Sequence, residues 1–142
     1  MASATILIDL LGGERIVGRK AESKWVALLR AGLPYPALES VMKTLGLSRE
    51  EVSELLSVPL RTLARRKREH RLHADESDRL FRLARIAARA VEVLGSKQNA
   101  AGWLRQPIRA LNGAAPIALL DTAAGTEQVD EILGRIEYGL YS

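Results

Sequence analysis

Apolar residues recur at helical spacing along most of the chain, and no stretch reads as a strand. The N-terminal part predicts short helices broken by glycine: residues 6–11 before Gly12 and Gly13, then residues 23–30 before Gly32. Pro36 suits the first turn of the next helix, which runs to Leu45 and stops at Gly46. Leu38, Val41 and Leu45 form its apolar stripe. Ser48, Arg49, Glu50 and Glu51 make an S-x-x-E capping box, so a helix opens there with Val52, Leu55 and Leu56 facing inward. It ends near Ser57 and Val58, because Pro59 cannot continue it but can open the next helix, residues 60–68.

The polar stretch 70–78 reads as a linker. Residues 77–94 then carry Leu80, Leu83, Ala84, Ala87, Val91 and Leu94 on one face, widened by Ile86, Ala90 and Val93 on one side and by Phe81 and Ala88 on the other. Only about a quarter of that helix is polar, which predicts a central helix of the second half or part of a dimer interface. Beyond Gly95 come three short pieces, at 98–104, 107–111 and 116–120. The last helix starts near Thr126, with Val129, Ile132, Leu133, Ile136 and Leu140 on its stripe and Gly139 near its C-cap.

Composition agrees with an all-α fold. Hydrophobic residues make up 47% of the 142, enough for a core, and aromatics only 4%. No apolar run is long enough for a membrane span, and the N-terminus lacks the basic start of a secretory signal. Cysteine is absent, which excludes disulfide scaffolds, thiolate zinc sites and cysteine nucleophiles. A reducing cytoplasm fits. The net charge of +4 is uneven. Residues 59–72 carry six basic side chains against the single acid Glu69, whereas residues 73–142 are slightly acidic, with eight basic against nine acidic. A basic block beside an acidic half suits nucleic acid on one side and a different partner on the other.

Little in the chain points to catalysis. None of the common nucleotide-binding, hydrolase or metalloprotease motifs is present. His70 and His73 lie in the polar stretch with no partner cluster, a poor metal site. Asp130 and Glu131 are adjacent, so on a helix they diverge. The chain is expected to be neither an enzyme nor a holder of a metal or cofactor.

A DNA-binding reading has more behind it. Residues 47–66 resemble the helix–turn–helix of phage-repressor-type (Xre-like) regulators. Small Ser53 stands where the two helices touch, Val58 and Leu63 stand at core positions, Ser57 replaces the usual turn glycine, and Arg66 stands at a late apolar position. With the second helix in the groove, Leu60, Arg61 and Thr62 are its exposed early side chains, with Arg65 one turn on. Arg61 and Arg65 suit guanine edges. Arg66, Lys67, Arg68 and Arg71 suit phosphates, which give affinity without sequence information.

The second half carries a more specific pattern: Leu94-Gly95, Trp103-Leu104, Pro107, Leu111-Asn112-Gly113, Pro116, Leu119-Leu120-Asp121-Thr122, Gly125, Val129, Leu133, Ile136-Glu137 and Tyr138-Gly139. In this order they resemble the toxin-binding domain of the Xre/MbcA/ParS antitoxin family. The helix–turn–helix lies directly upstream, as in that family. The resemblance implies an N-terminal Xre/Cro-like DNA-binding domain, residues 1–72 with the motif at about 47–69, and a helical toxin-binding domain, residues 77–142. It implies an antitoxin whose partner is a RES-domain toxin that consumes NAD, the pair repressing its own operon through the helix–turn–helix. Apart from the resemblance, the broad apolar face of residues 77–94 and the reach of one helix–turn–helix to a single half-site predict a homodimer on operator DNA. The alternative is a stand-alone dimeric repressor with no toxin. Glu137, Tyr138, Leu140, Tyr141 and Ser142 are the candidate toxin contacts, because the acidic last helix ends in exposed aromatics beside a leucine.

Overall fold

The computed structural model describes residues 2–139, with side chains from residue 4 onward. Its helices are α1 (Ala2–Leu10), α2 (Glu14–Val17), α3 (Trp25–Ala31), α4 (Tyr35–Leu45), α5 (Arg49–Leu56), α6 (Leu60–Glu69), α7 (Ala74–Leu94), α8 (Lys97–Leu104) and α9 (Ala123–Glu137). Single 3₁₀ turns lie at Ala21–Ser23, Arg109–Leu111 and Pro116–Leu119. Among the described residues the only extended pairing is one isolated bridge, Pro34 to Arg71.

α7 is the organising element. It packs against α1, α3 and α5 from the first half and against α8 and α9 from the second. Leu80, Leu83, Ala84, Ile86, Ala87, Ala88, Ala90 and Val91 are all buried, and Leu80, Ala84, Ala87 and Ala90 are wholly so. Each leucine of this kind contributes about 1.5–3 kcal/mol through burial. The alanines let neighbouring helices approach closely. The broad apolar face is therefore covered by the chain itself, which removes it as the dimer surface: α7 is central to the whole described chain rather than to the second half alone.

The expected linker is mostly helix. α7 opens at Ala74, and only the four residues between α6 and α7 lie outside helices. His73 precedes the first turn and Glu76 occupies N3, where Oε1 accepts the His73 backbone N–H at 2.8 Å. Glu76 and Ser77, polar in the sequence, are buried. Ser77 Oγ accepts the Leu33 backbone N–H at 2.7 Å, which joins α7 to the loop after α3. The last helix likewise starts earlier than expected. Thr122 caps it, accepting the Gly125 N–H at 2.9 Å, while Thr126 lies within its first turn. The pieces expected at 107–111 and 116–120 are 3₁₀ turns, and α2 and the turn at Ala21–Ser23 were not foreseen.

Polar links also join the halves. Lys97 at the start of α8 pairs with Asp9 of α1. Arg105, just after α8, makes a two-pronged bond to Glu51 of α5, both distances 2.9 Å, and donates to the carbonyls of Leu45 and Gly46 at the end of α4.

Candidate functional site

The helix–turn–helix assembles as its sequence implies. Ser48 Oγ accepts the Glu51 N–H at 3.1 Å, and Glu51 Oε1 accepts the Ser48 N–H at 2.9 Å, completing the capping box of α5. Glu51 thus has Arg105 on one side and this backbone donor on the other. The Arg105 hydrogen bonds, then the Ser48 N–H, hold its carboxyl at about 2, below the usual 4.5. At the turn Ser57 adopts the left-handed conformation, φ 55° and ψ 47°. The Val58 N–H reaches back to the Ser53 carbonyl at 2.9 Å, closing the end of α5. Ser53 Oγ donates to the Val58 carbonyl at 2.6 Å, so the small residue between the helices also bonds across the turn. Val58 and Leu63 are buried, as their positions predict.

The exposed side of α6 carries the basic set. Arg61, Arg65, Lys67 and Arg68 are exposed, Leu60 is 40% exposed and Thr62 is half-buried. Among the described residues no carboxylate pairs with Arg61, Arg65 or Arg68. Lys67 leans towards Glu39 at 3.9 Å with both groups in solvent, a contact of little energy. Arg71 is exposed, but its guanidinium donates to the Gly32 carbonyl at 2.5 Å.

Arg66 departs from the expectation. Its side chain is 7% exposed and points inward, with Nε 2.8 Å from Oε1 of Glu76, which is 5% exposed. The Glu76 hydrogen bond raises the guanidinium above its ordinary value, against the opposing effect of burial. A cation committed to a buried carboxylate is not offered to phosphate, so Arg66 leaves the set of DNA contacts. Arg49, which the sequence reading passed over, lies beside the set: its Nη2 donates to the Leu60 carbonyl at 3.4 Å, at the start of α6. The signal for it was the basic residue at the first position inside the capping box.

At the far end of the chain, Tyr138 is 75% exposed beyond the last turn of α9. Glu137 accepts from Arg89 Nη2 at 3.2 Å, and Arg89 Nε lies 2.7 Å from Asp130. Asp130 and Glu137 therefore turn towards α7, and Glu131 alone of these three acids is on the outer side with no ion pair among the described residues. Leu140, Tyr141 and Ser142 lie outside the described residues. Trp103 is half-buried against the core. Neither a metal-binding cluster nor a helix long and apolar enough to cross a membrane occurs among the described residues.

Comparison with known proteins matches two stretches of the chain. An antitoxin Xre-like helix-turn-helix domain matches residues 24–85, and the C-terminal toxin-binding domain of antitoxin Xre/MbcA/ParS matches residues 89–139. An antitoxin Xre of Photorhabdus laumondii is 32% identical over 118 residues, covering 82% of this chain and 80% of the relative. One from Pseudomonas putida is 46% identical over 83 residues, covering 58% of this chain and 52% of the relative. The solved M. tuberculosis MbcT–MbcA toxin–antitoxin complex contains a chain of like fold, with a TM-score of 0.56 and 23% identity, covering 74% of this chain and 94% of that one.

Proposed function

The chain belongs to the Xre antitoxin family, with a helix–turn–helix domain and a toxin-binding domain, and on that premise we propose that it neutralises a RES-domain toxin that consumes NAD and represses its own operon. The observation that carries the reading is the joining of these two domains in one chain, each matched to an antitoxin domain. A relative in Sphingobium, 24% identical over 127 residues, bears the name Prs ADP-ribosylating antitoxin. ADP-ribosylation consumes NAD, which supports the NAD chemistry of the partner. We take residues 1–72 as the DNA-binding part and 77–142 as the toxin-binding part, acting in the cytoplasm where the operon is read.

On the operator, Arg61 and Arg65 read base edges, with Leu60 and Thr62 beside them. Lys67, Arg68 and Arg49 hold phosphates. Two copies bind a two-fold operator, because one helix–turn–helix reaches one half-site. On the toxin, the end of the chain is the plug. Tyr138 is exposed bulk beyond α9, Glu137 joins it on exchanging its Arg89 partner for a basic group of the toxin, and we take Leu140, Tyr141 and Ser142 as further contacts. A site built for NAD presents basic groups to phosphates, and the Glu137 carboxylate suits the same groups.

Two measurements test this. In gel-shift titrations, Arg61→Ala and Arg65→Ala are expected to lose about 1–3 kcal/mol of preference for the operator over a scrambled duplex. Lys67→Ala and Arg68→Ala are expected to weaken both duplexes alike. Equal losses on both duplexes for all four would reject the division of roles. In cells expressing the toxin, deletion of residues 138–142 is expected to leave a folded, operator-binding protein that protects poorly. Full protection by the truncated chain would reject the tail as the plug.

A further inference from the structure

The helix that carries the basic set is tied to the rest of the protein by few side chains. Along α6 only Leu63 and Arg66 are buried. Leu63 gives an apolar contact, which resists separation but not rotation. Arg66 gives directional contacts. Nε lies 2.8 and 3.1 Å from the two oxygens of Glu76, Nη1 3.4 Å from Glu69, and Nη2 3.1 Å from Nδ1 of His73. Glu76 is fixed in turn by the His73 backbone N–H at the first turn of α7. Charge-assisted bonds of this kind are demanding in angle. Here they run from the planar fork of one helix to a carboxylate anchored on the next.

A buried ion pair is a poor source of stability, since removing two charges from water offsets most of their attraction. An apolar residue at position 66, usual for this motif, would hold α6 down without that cost. What the pair adds is an angle.

We propose that Arg66 and Glu76 are positioning residues for operator recognition: they set the orientation of α6 on α7, and so where Arg61 and Arg65 meet base edges. This rests on the DNA-binding reading above. Neither residue touches DNA.

The test pairs two readouts on the full chain. The first is affinity for a duplex from the region upstream of its own gene, against a scrambled duplex. The second is the distance between spin labels on Arg61→Cys and Glu92→Cys, which are unique because the chain has no cysteine. The double variant R66M/E76L keeps the net charge and replaces the pair by apolar side chains, an exchange that buried pairs commonly tolerate. It is expected to stay helical and to bind scrambled DNA as before. Its preference for the upstream duplex should fall about tenfold, the scale of one misplaced base contact. The label distances should broaden or shift. R66K, which keeps the charge and the stem but not the fork, should move both readouts in the same direction, and it decides the matter if the double variant does not fold. A folded variant with unchanged label distances, or with its preference for the upstream duplex intact, would overturn the proposal. If the wild-type chain shows no preference between duplexes, the operator reading falls, and the label distances alone decide whether the pair sets the angle.

Discussion

Ser57 holds the turn of the helix–turn–helix at φ 55°, where a Cβ is strained by about 1–2 kcal/mol. Its side chain is exposed and makes no hydrogen bond among the described residues, so nothing repays the strain locally. Ser57→Gly removes that strain and adds about 0.5–1 kcal/mol of backbone entropy to the unfolded chain. The net expectation is a gain of up to about 1 kcal/mol, read as a higher urea midpoint at unchanged slope. A lower midpoint would show that the serine does something the structure does not contain. Arg66 makes the opposite point at the same scale. In the linear pattern it is one more cation in a basic run, and the fold turns it inward because Glu76 waits on the next helix.

At the scale of elements, capping chemistry was legible where the residues are the usual ones and hidden where they are not. The Ser48–Glu51 box places α5 within the sequence. Glu76 opens α7 by accepting the His73 N–H, but histidine is no standard cap signal, so the helix reads as starting late. Gly125 belongs with this kind of detail. A Cβ there would stand 2.0 Å from the Leu119 carbonyl oxygen, so the first turn of α9 packs directly on the backbone of the preceding 3₁₀ turn. Gly125→Ala forces the two apart, although alanine is the better helix former by about 1 kcal/mol. We expect a clear loss of thermal stability and weakened toxin binding. A variant as stable as the wild type would mean that this contact is not tight. Ala90, wholly buried on α7, gives a second check. Ala90→Glu places an unpaired charge in the core. The expected outcome is loss of helical circular dichroism, not a folded monomer.

At the scale of the whole molecule, Arg105 of the second half grips α5 of the first through Glu51. Glu51 titrates near 2 in the folded chain, below its ordinary 4.5. A carboxylate whose folded value is depressed stabilises the fold above about 4.5 and loses that contribution as the pH falls towards 2. Urea midpoints measured across that window should therefore fall with acid in the wild type. They should fall less steeply in Arg105→Met, where the largest cause of the depression is gone. Both groups are more than a third exposed, so solvent screening keeps the effect modest. Identical slopes for the two proteins would show that the bridge does not link the halves in solution.

What the sequence determined by itself is what depends on near neighbours: helix periodicity, the capping box at Ser48, the proline and glycine stops, and the motif order that marks the family. It also located the basic set on α6 and the apolar face of α7. Contacts distant in the chain were decided only by the tertiary structure. It covers the α7 face with α1, α3, α5, α8 and α9, so that a surface readable as a dimer interface is the core. It buries Arg66 on Glu76, turns Asp130 and Glu137 towards Arg89, and clamps Glu51 with Arg105. Each of these pairs a charge with a partner on another element, at least ten residues away. The linear pattern reports only that such a charge exists. Which way it faces depends on where the other helix is placed.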